Sequence, residues 1–240
     1  MGTKIGIFLL IIFMQISISY QNTDLVILMA LQAAWPNTTL NWKGSDPCDG
    51  TWLGIGCTNS RVTSLILSSM GLTGGLPGDI GEFTELQILD LSYNTGLTGT
   101  LTPAIGNLNK LTNLVIVGCG FTGPIPSTIG NLERLLYMSL NSNGFTGPIP
   151  ATFGNLKNIY WLDLSANKLT GSLPVSDGLT PGLDLLTNIK HLLFDHNQFS
   201  GSIPSTVGFL QSLEIISEAA AWCLALATSS CVLAATLDSS

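Results

Sequence analysis

The chain has 240 residues, 45% hydrophobic and only 10% charged, with eight Lys plus Arg against fifteen Asp plus Glu and a net charge of −7. That balance argues against nucleic-acid binding, which needs clustered cations to neutralise phosphates, and against a strongly anionic ligand. As a compact globule this length suggests one or two domains.

Residues 1–20 read as a secretory signal peptide. Lys4 gives a positive start, residues 5–14 are apolar throughout, and Ser17-Ile18-Ser19 offers small residues for cleavage. Ten apolar residues are too few to span a bilayer. Secretion permits disulfides and makes Asn37, in Asn37-Thr38-Thr39, a candidate glycan site.

Residues 21–61 read as an N-terminal cap. Asp24 as N-cap, with Leu25, Leu28, Met29, Leu31, Gln32 and Trp35, predicts a helix that Pro36 ends. Trp42 and Trp52 then flank Cys48, and eight residues separate Cys48 from Cys57. That spacing suits one disulfide, whereas zinc would need further ligands and no His lies near.

From Val62 one pattern recurs. The first residues of successive units are Val62, Leu86, Leu111, Leu135, Ile159, Ile189 and Leu213, so the steps are 24, 25, 24, 24, 30 and 24 residues. The best copies run from Leu135 to Pro150 and from Ile159 to Pro174. This period, with L-x-x-L-x-L and then Asn, is identified as a leucine-rich repeat. The expected fold is α/β: a horseshoe solenoid with a short parallel β-sheet on the concave face and a helical, disulfide-linked cap. Six repeats occupy 62–212, and a partial seventh with an apolar tail occupies 213–240. Strand parity sends the leucines inward and alternate residues to the concave surface. A polar ladder of Asn94, Asn143, Asn167 and Asn197, with Cys119 in the third rung, is expected to bond the backbone of adjacent coils. Cys119 is read as a reduced, structural thiol. Gly118-Cys119-Gly120-Phe121-Thr122-Gly123 matches G-x-G-x-x-G, yet Pro124 forbids the helix that a dinucleotide site requires. Each unit closes on Ile-Gly-Asn-Leu, expected to form a helical turn on the convex side. The six extra residues of the fifth unit, near 175–185, read as an exposed loop.

Residues 219–237 carry no charge and meet the length rule for a membrane span, but no Lys or Arg follows them. A tail that part-caps the solenoid, a span and a lipid-anchor signal remain the alternatives, and Cys223 could pair with Cys231.

The Trp…Cys-x8-Cys cap with Leu-Thr-Gly-x-Ile-Pro…Ile-Gly-Asn-Leu repeats resembles plant leucine-rich repeat receptor-like kinases over about residues 24–213. Asn94-Thr95-Gly96-Leu97, Val117-Gly118-Cys119-Gly120 and Tyr160-Trp161-Leu162-Asp163-Leu164 are similar to one subfamily of them. The resemblance implies an extracellular or plasma-membrane binding domain for a secreted peptide or protein, with a co-receptor ectodomain as a further partner. The chain stops before a kinase could begin, so a truncated form is expected. The alternative is a free secreted inhibitor of a foreign cell-wall hydrolase.

No catalytic constellation, cofactor or metal site is expected. Asp195, His196 and His191 share one unit, but no Ser or Cys nucleophile matches them and their spacing is not that of metal ligands. Binding is the expected role, and concave positions supply candidate contacts: Tyr93, Tyr137, Asn141, Trp161, Asp163, His191 and Asp195. Aromatic residues tend to dominate such surfaces.

Overall fold

The computed structural model describes residues 23–36 and 38–217. The segment read as a signal peptide, the candidate glycan site Asn37, and the tail with Cys223 and Cys231 lie outside the described residues. A helix occupies residues 23–34, and every regular element after it is a strand or a short 3₁₀ turn.

The cap is held by aromatic residues whose polar ends are all matched. Trp42 stacks on Trp52 at 5.8 Å between ring centroids and stands 6.5 Å from Trp35. Each indole N–H finds a carbonyl: Trp35 donates to Gly75, Trp42 to Leu53 and Trp52 to Lys43, all at 2.9–3.0 Å. Buried Trp needs such a partner. Cys48 and Cys57 are disulfide-bonded. Two expectations fail here. The helix is already running at Thr23, so Asp24 is not its N-cap. Its carboxylate, 2% exposed, instead accepts two hydrogen bonds from Arg61 and one from the Val62 amide, tying the helix to the first coil. Met29 faces solvent, and Ile27, Leu28 and Leu31 form the buried stripe.

The inner sheet has eight strands: Ile55–Thr58, Arg61–Ile66, Ile88–Asp90, Asn113–Val115, Tyr137–Ser139, Trp161–Asp163, His191–Leu193 and Ile215–Ser217. The first pair is antiparallel and the others are parallel in register, with Leu65, Leu89, Leu114, Met138, Leu162 and Leu192 aligned. These six are fully buried, as are Leu67, Leu91, Ile116, Leu140 and Leu164 two residues on. Each such side chain contributes roughly 1.5–3 kcal/mol by leaving water. No coil could bury them alone.

A second parallel sheet was not expected from sequence. Thr73–Gly74, Gly96–Thr100, Gly120–Pro124, Gly144–Gly147, Lys168–Gly171 and Gln198–Phe199 pair along the flank. These are the Leu/Phe-Thr-Gly segments, and Phe121 stacks on Phe145 beneath them at 6.4 Å. The convex turns are 3₁₀, for example Pro103–Asn107, Ser127–Asn131 and Ala151–Asn155. Their glycines are demanded by stacking. A Cβ on Gly106, Gly130 or Gly154 would collide with the backbone carbonyl of Thr128, Thr152 or Gly182 in the next coil.

The asparagine ladder has the expected role. Asn94 Oδ1 accepts from the Leu72 amide at 3.0 Å, while its Nδ2 donates to the carbonyls of Leu67 and Leu91. Asn143, Asn167 and Asn197 do the same for the amides of Phe121, Phe145 and Leu169. Cys119 supplies only part of this, its thiol donating to Leu91 O at 3.2 Å. The amide an asparagine would have served here is that of Leu97. It bonds instead to Asn94 O at 2.9 Å, because Thr95 is one residue extra and folds Asn94-Thr95-Gly96-Leu97 into a turn. The long step and the cysteine are therefore one feature. The thiol is pushed up by burial first and by Asp90 as well, which suppresses the reactive thiolate.

The 30-residue step leaves the strand register unbroken, with Trp161 opposite His191. Its extra residues form an exposed excursion with Leu179 at 95% exposure. Asp177 accepts from the amides of Leu179 and Thr180, and Leu183 N donates to Pro174 O to close the base.

Two stability measurements test this account. Gly130→Ala should lower the unfolding free energy in urea by about 1–3 kcal/mol, the usual cost of overpacking. Deleting Thr95 should strand the Leu97 amide, so that Cys119→Asn restores about 1 kcal/mol in that background and none in the unaltered chain.

Candidate functional site

The inner sheet presents one residue in two on its open side, and coil stacking sets those residues in rows. One row reads Ile88, Asn113, Tyr137, Trp161, His191 and Ile215. Its middle is a continuous aromatic stack. Tyr137 and Trp161 lie at 5.6 Å and 22°, and Trp161 and His191 at 4.3 Å and 36°. Trp161 Nε1 and His191 Nδ1 are both sheltered from solvent, and neither has a hydrogen-bond partner among the described residues. Leaving such atoms unmatched costs on the order of 1–3 kcal/mol each. His191 Nε2 stands 4.0 Å from Glu214, whose carboxylate also accepts from Lys190.

The other candidate residues divide by environment. Tyr93 is 64% exposed and adopts a positive φ of 58°. It lies over Gly118, where a Cβ would approach its ring to 3.1 Å. Asn141 is half-buried and can receive Ser139 Oγ at 3.4 Å. Asp163 is only 8% exposed. Its Oδ1 accepts from the amide and hydroxyl of Ser165, and its Oδ2 stands 3.4 Å from Ser139 Oγ, whose one proton it shares with Asn141 Oδ1. The expectation of an open Asp163 contact is therefore corrected: parity places it outward, but the following turn draws its carboxylate back. Asp195 accepts from Ser217 Oγ and pairs with His196 Nδ1 at 2.7 Å. Burial opposes its ionisation, yet those two partners hold its carboxyl below the usual range. Tyr137, Trp161 and His191 are thus brought together, while Tyr93 lies on an earlier coil and Asp195 follows His191 in its own coil, one at each end of the patch.

Sequence reasoning missed Glu214, since it precedes the strand and parity does not point it inward. The Tyr137 phenol is pushed up, by burial first and then by the negative field of Asp163, Tyr160, Asp90 and Tyr93. Among the described residues no group of three His, Cys, Asp or Glu could hold a metal, and no helix is long and apolar enough to cross a membrane.

Comparison with known proteins gives this arrangement a lineage. The Leucine rich repeat N-terminal domain model matches residues 21–58, and the Leucine Rich Repeat model matches 110–132, 134–156 and 188–210. Neither is a kinase model. A probable leucine-rich repeat receptor-like protein kinase of Arabidopsis thaliana is 44% identical over 125 residues, which is 50% of this chain and 13% of that relative. The ectodomain of the Arabidopsis thaliana membrane receptor kinase GASSHO1/SCHENGEN3, solved in complex with CASPARIAN STRIP INTEGRITY FACTOR 2, superposes with a TM-score of 0.76 at 30% identity. That match covers 82% of this chain and 24% of the other. The Arabidopsis receptor kinase HAESA, solved with the peptide hormone IDA and the co-receptor SERK1, gives a TM-score of 0.50 at 26% identity over 82% of this chain and 41% of HAESA. The chain carries leucine-rich repeat N-terminal and repeat domains, and its relatives are plant leucine-rich repeat receptor-like kinases. It spans well under half the length of each protein named here.

The Tyr137 environment is open to titration. Its phenol should ionise above the ordinary tyrosine range, read as tyrosinate absorbance of the chain minus that of Tyr137→Phe. Asp163→Asn should lower the midpoint only in part, because burial is the larger cause. The folded state holds this proton more tightly than the unfolded one, so Tyr137's contribution to stability is intact below the ordinary phenol value and is lost as pH rises towards the raised one.

Proposed function

We propose that this chain is an extracellular or cell-surface binding module that recognises a peptide or protein partner on its concave sheet, in the service of cell-surface signalling. The observation that carries the reading is the Tyr137–Trp161–His191 stack, with two sheltered polar ring atoms left unmatched. Buried polar atoms are normally satisfied. A cluster that leaves two unsatisfied, at the centre of an otherwise well-bonded surface, is explained by a partner that turns the rings and supplies the missing bonds. Trp and Tyr are also the residues that most often dominate binding energy.

The similarity to ectodomains solved with a peptide hormone or a co-receptor supports the same class of partner, with Tyr93, Asn141 and Asp195 as flanking contacts. The hydrolase-inhibitor reading is not favoured, since the relative and the two solved ectodomains described above all belong to receptor kinases.

The test is affinity selection of displayed random peptides on the full chain, followed by titration of the enriched peptide. Trp161→Ala should weaken binding at least about tenfold, since loss of a central aromatic commonly exceeds 1.4 kcal/mol, with the thermal midpoint nearly unchanged. Unaltered affinity would place the contact surface elsewhere.

A further inference from the structure

The inner positions of the sheet hold no Lys or Arg and three carboxylates, Asp90, Asp163 and Asp195. Their hydrogen bonding separates them. Asp163 has donors on both oxygens, Ser165 and Ser139. Asp195 likewise has Ser217 and His196. Asp90 accepts from the Ser92 amide on Oδ1 at 2.9 Å, and among the described residues none donates a hydrogen bond to its Oδ2.

The position of Asp90 gives that spare oxygen a setting. Strand register sets Asp90 beside Val115 and, two residues earlier on that same strand, sets Asn113 beside Tyr137 on its other flank, so Asp90 and Tyr137 are offset diagonally across the Asn113–Val115 strand. Rungs are about 4.8 Å apart, so the coils bearing Asp90 and Tyr137 stand about two rungs apart. The coil between them presents Asn113, Val115, Val117 and Gly118 at its outward positions, with no ring among them. Trp161 covers one face of Tyr137, leaving the other towards this gap. Tyr93 folds over its far end, against Gly118. Asp90 and Tyr93 both add to the negative field that pushes the Tyr137 phenol up, after burial and the larger contributions of Asp163 and Tyr160. The nearest cation by rung, Lys110, is bound to Glu85 at 2.6–2.7 Å and does not neutralise the slot.

We propose that the slot between Asp90 and Tyr137, floored by Val115 and closed by Tyr93, binds a Lys or Arg side chain of the partner polypeptide. The carboxylate oxygen accepts from the cation, and the aromatic face receives it by cation–π attraction. The apolar floor suits the methylene stem. An acidic side chain would find no donor cation here. This inference rests on the concave-face reading above and narrows it to a basic ligand.

The test uses peptides selected by display on the full chain. The enriched sequences should contain Lys or Arg. Changing that residue to Gln should weaken binding to the unaltered chain about tenfold, the scale of a charge-assisted hydrogen bond. Asp90→Asn should weaken the original peptide by a similar factor, and the two changes together should cost little more than either alone. Val115→Arg, which supplies a cation to the slot from within, should abolish the preference for basic peptides even if Asp90→Asn disturbs the Ser92 turn. The slot is overturned if neutralising the peptide leaves affinity unchanged, or if its effect is the same in Asp90→Asn. Should Trp161→Ala weaken binding while Asp90→Asn and Val115→Arg do not, the slot is wrong and the concave-face reading stands. Insensitivity to all three, or no enriched peptide, removes both.

Discussion

Each coil of this chain turns its backbone through a buried corner, and the amides and carbonyls at that corner have no strand partner of their own. In four of the coils a single asparagine resolves this. An asparagine offers an acceptor to the amide of the coil before it and donors to carbonyls on both sides. Removing it would strand several backbone groups at once, each at on the order of 1–3 kcal/mol. Leucine burial supplies most of the drive to stack, but it is indifferent to register by comparison. The amide ladder makes coil n fit coil n+1 in only one alignment, and the convex glycines enforce the same alignment from the opposite side by excluding any Cβ.

That constraint explains why the third rung can do without asparagine. A thiol is a poor acceptor, so Cys119 is tolerable only where the preceding coil has no amide to offer. The extra Thr95 creates that circumstance by returning the Leu97 amide to Asn94. Two departures from the repeat, 24 residues apart, thereby cancel. The same economy holds at the fifth coil. All the added length leaves the solenoid between Pro174 and Leu183 and returns before the next inner strand, so the row of Trp161 and His191 is not displaced.

Much of this was legible in the residues because each buried leucine or asparagine answers to a single periodic position. Leu65 or Asn143 needs no knowledge of a distant partner to be placed. The second sheet was not legible. Its strands are two to five residues, mostly rich in Gly and Thr, a composition that reads as coil, and their pairing exists only because stacking lays similar segments side by side. Asp24 was misread for a related reason. An acidic residue ahead of an apolar stripe has the pattern of a helix cap, and its true partner, Arg61, is 37 residues away. Asp163 shows the limit of parity: alternation fixes which way a Cα–Cβ bond points, but a carboxylate is long enough to fold back onto the next turn. Tyr137, Trp161 and His191 were legible as neighbours, whereas their unmatched nitrogens were not, because satisfaction depends on rotamers.

Separation of roles along each strand has a consequence for recognition. The positions that hold the fold, Leu162 and Leu164 in the fifth coil, alternate with those that meet a ligand, here Trp161. Outward residues can therefore change without creating a cavity or stranding a backbone group, provided the turn-capping carboxylates are left in place. Asp163 and Asp195 belong to that fixed set, since both of their oxygens are engaged. Asp90 is half in it: one oxygen shapes the Ser92 turn and the other is uncommitted. A rigid strand that already fixes a carboxylate has less side-chain freedom to surrender when a ligand arrives, and preorganisation of this kind adds affinity without adding contacts. The recognition chemistry of this face therefore concentrates where a structural group has a hydrogen-bonding site to spare.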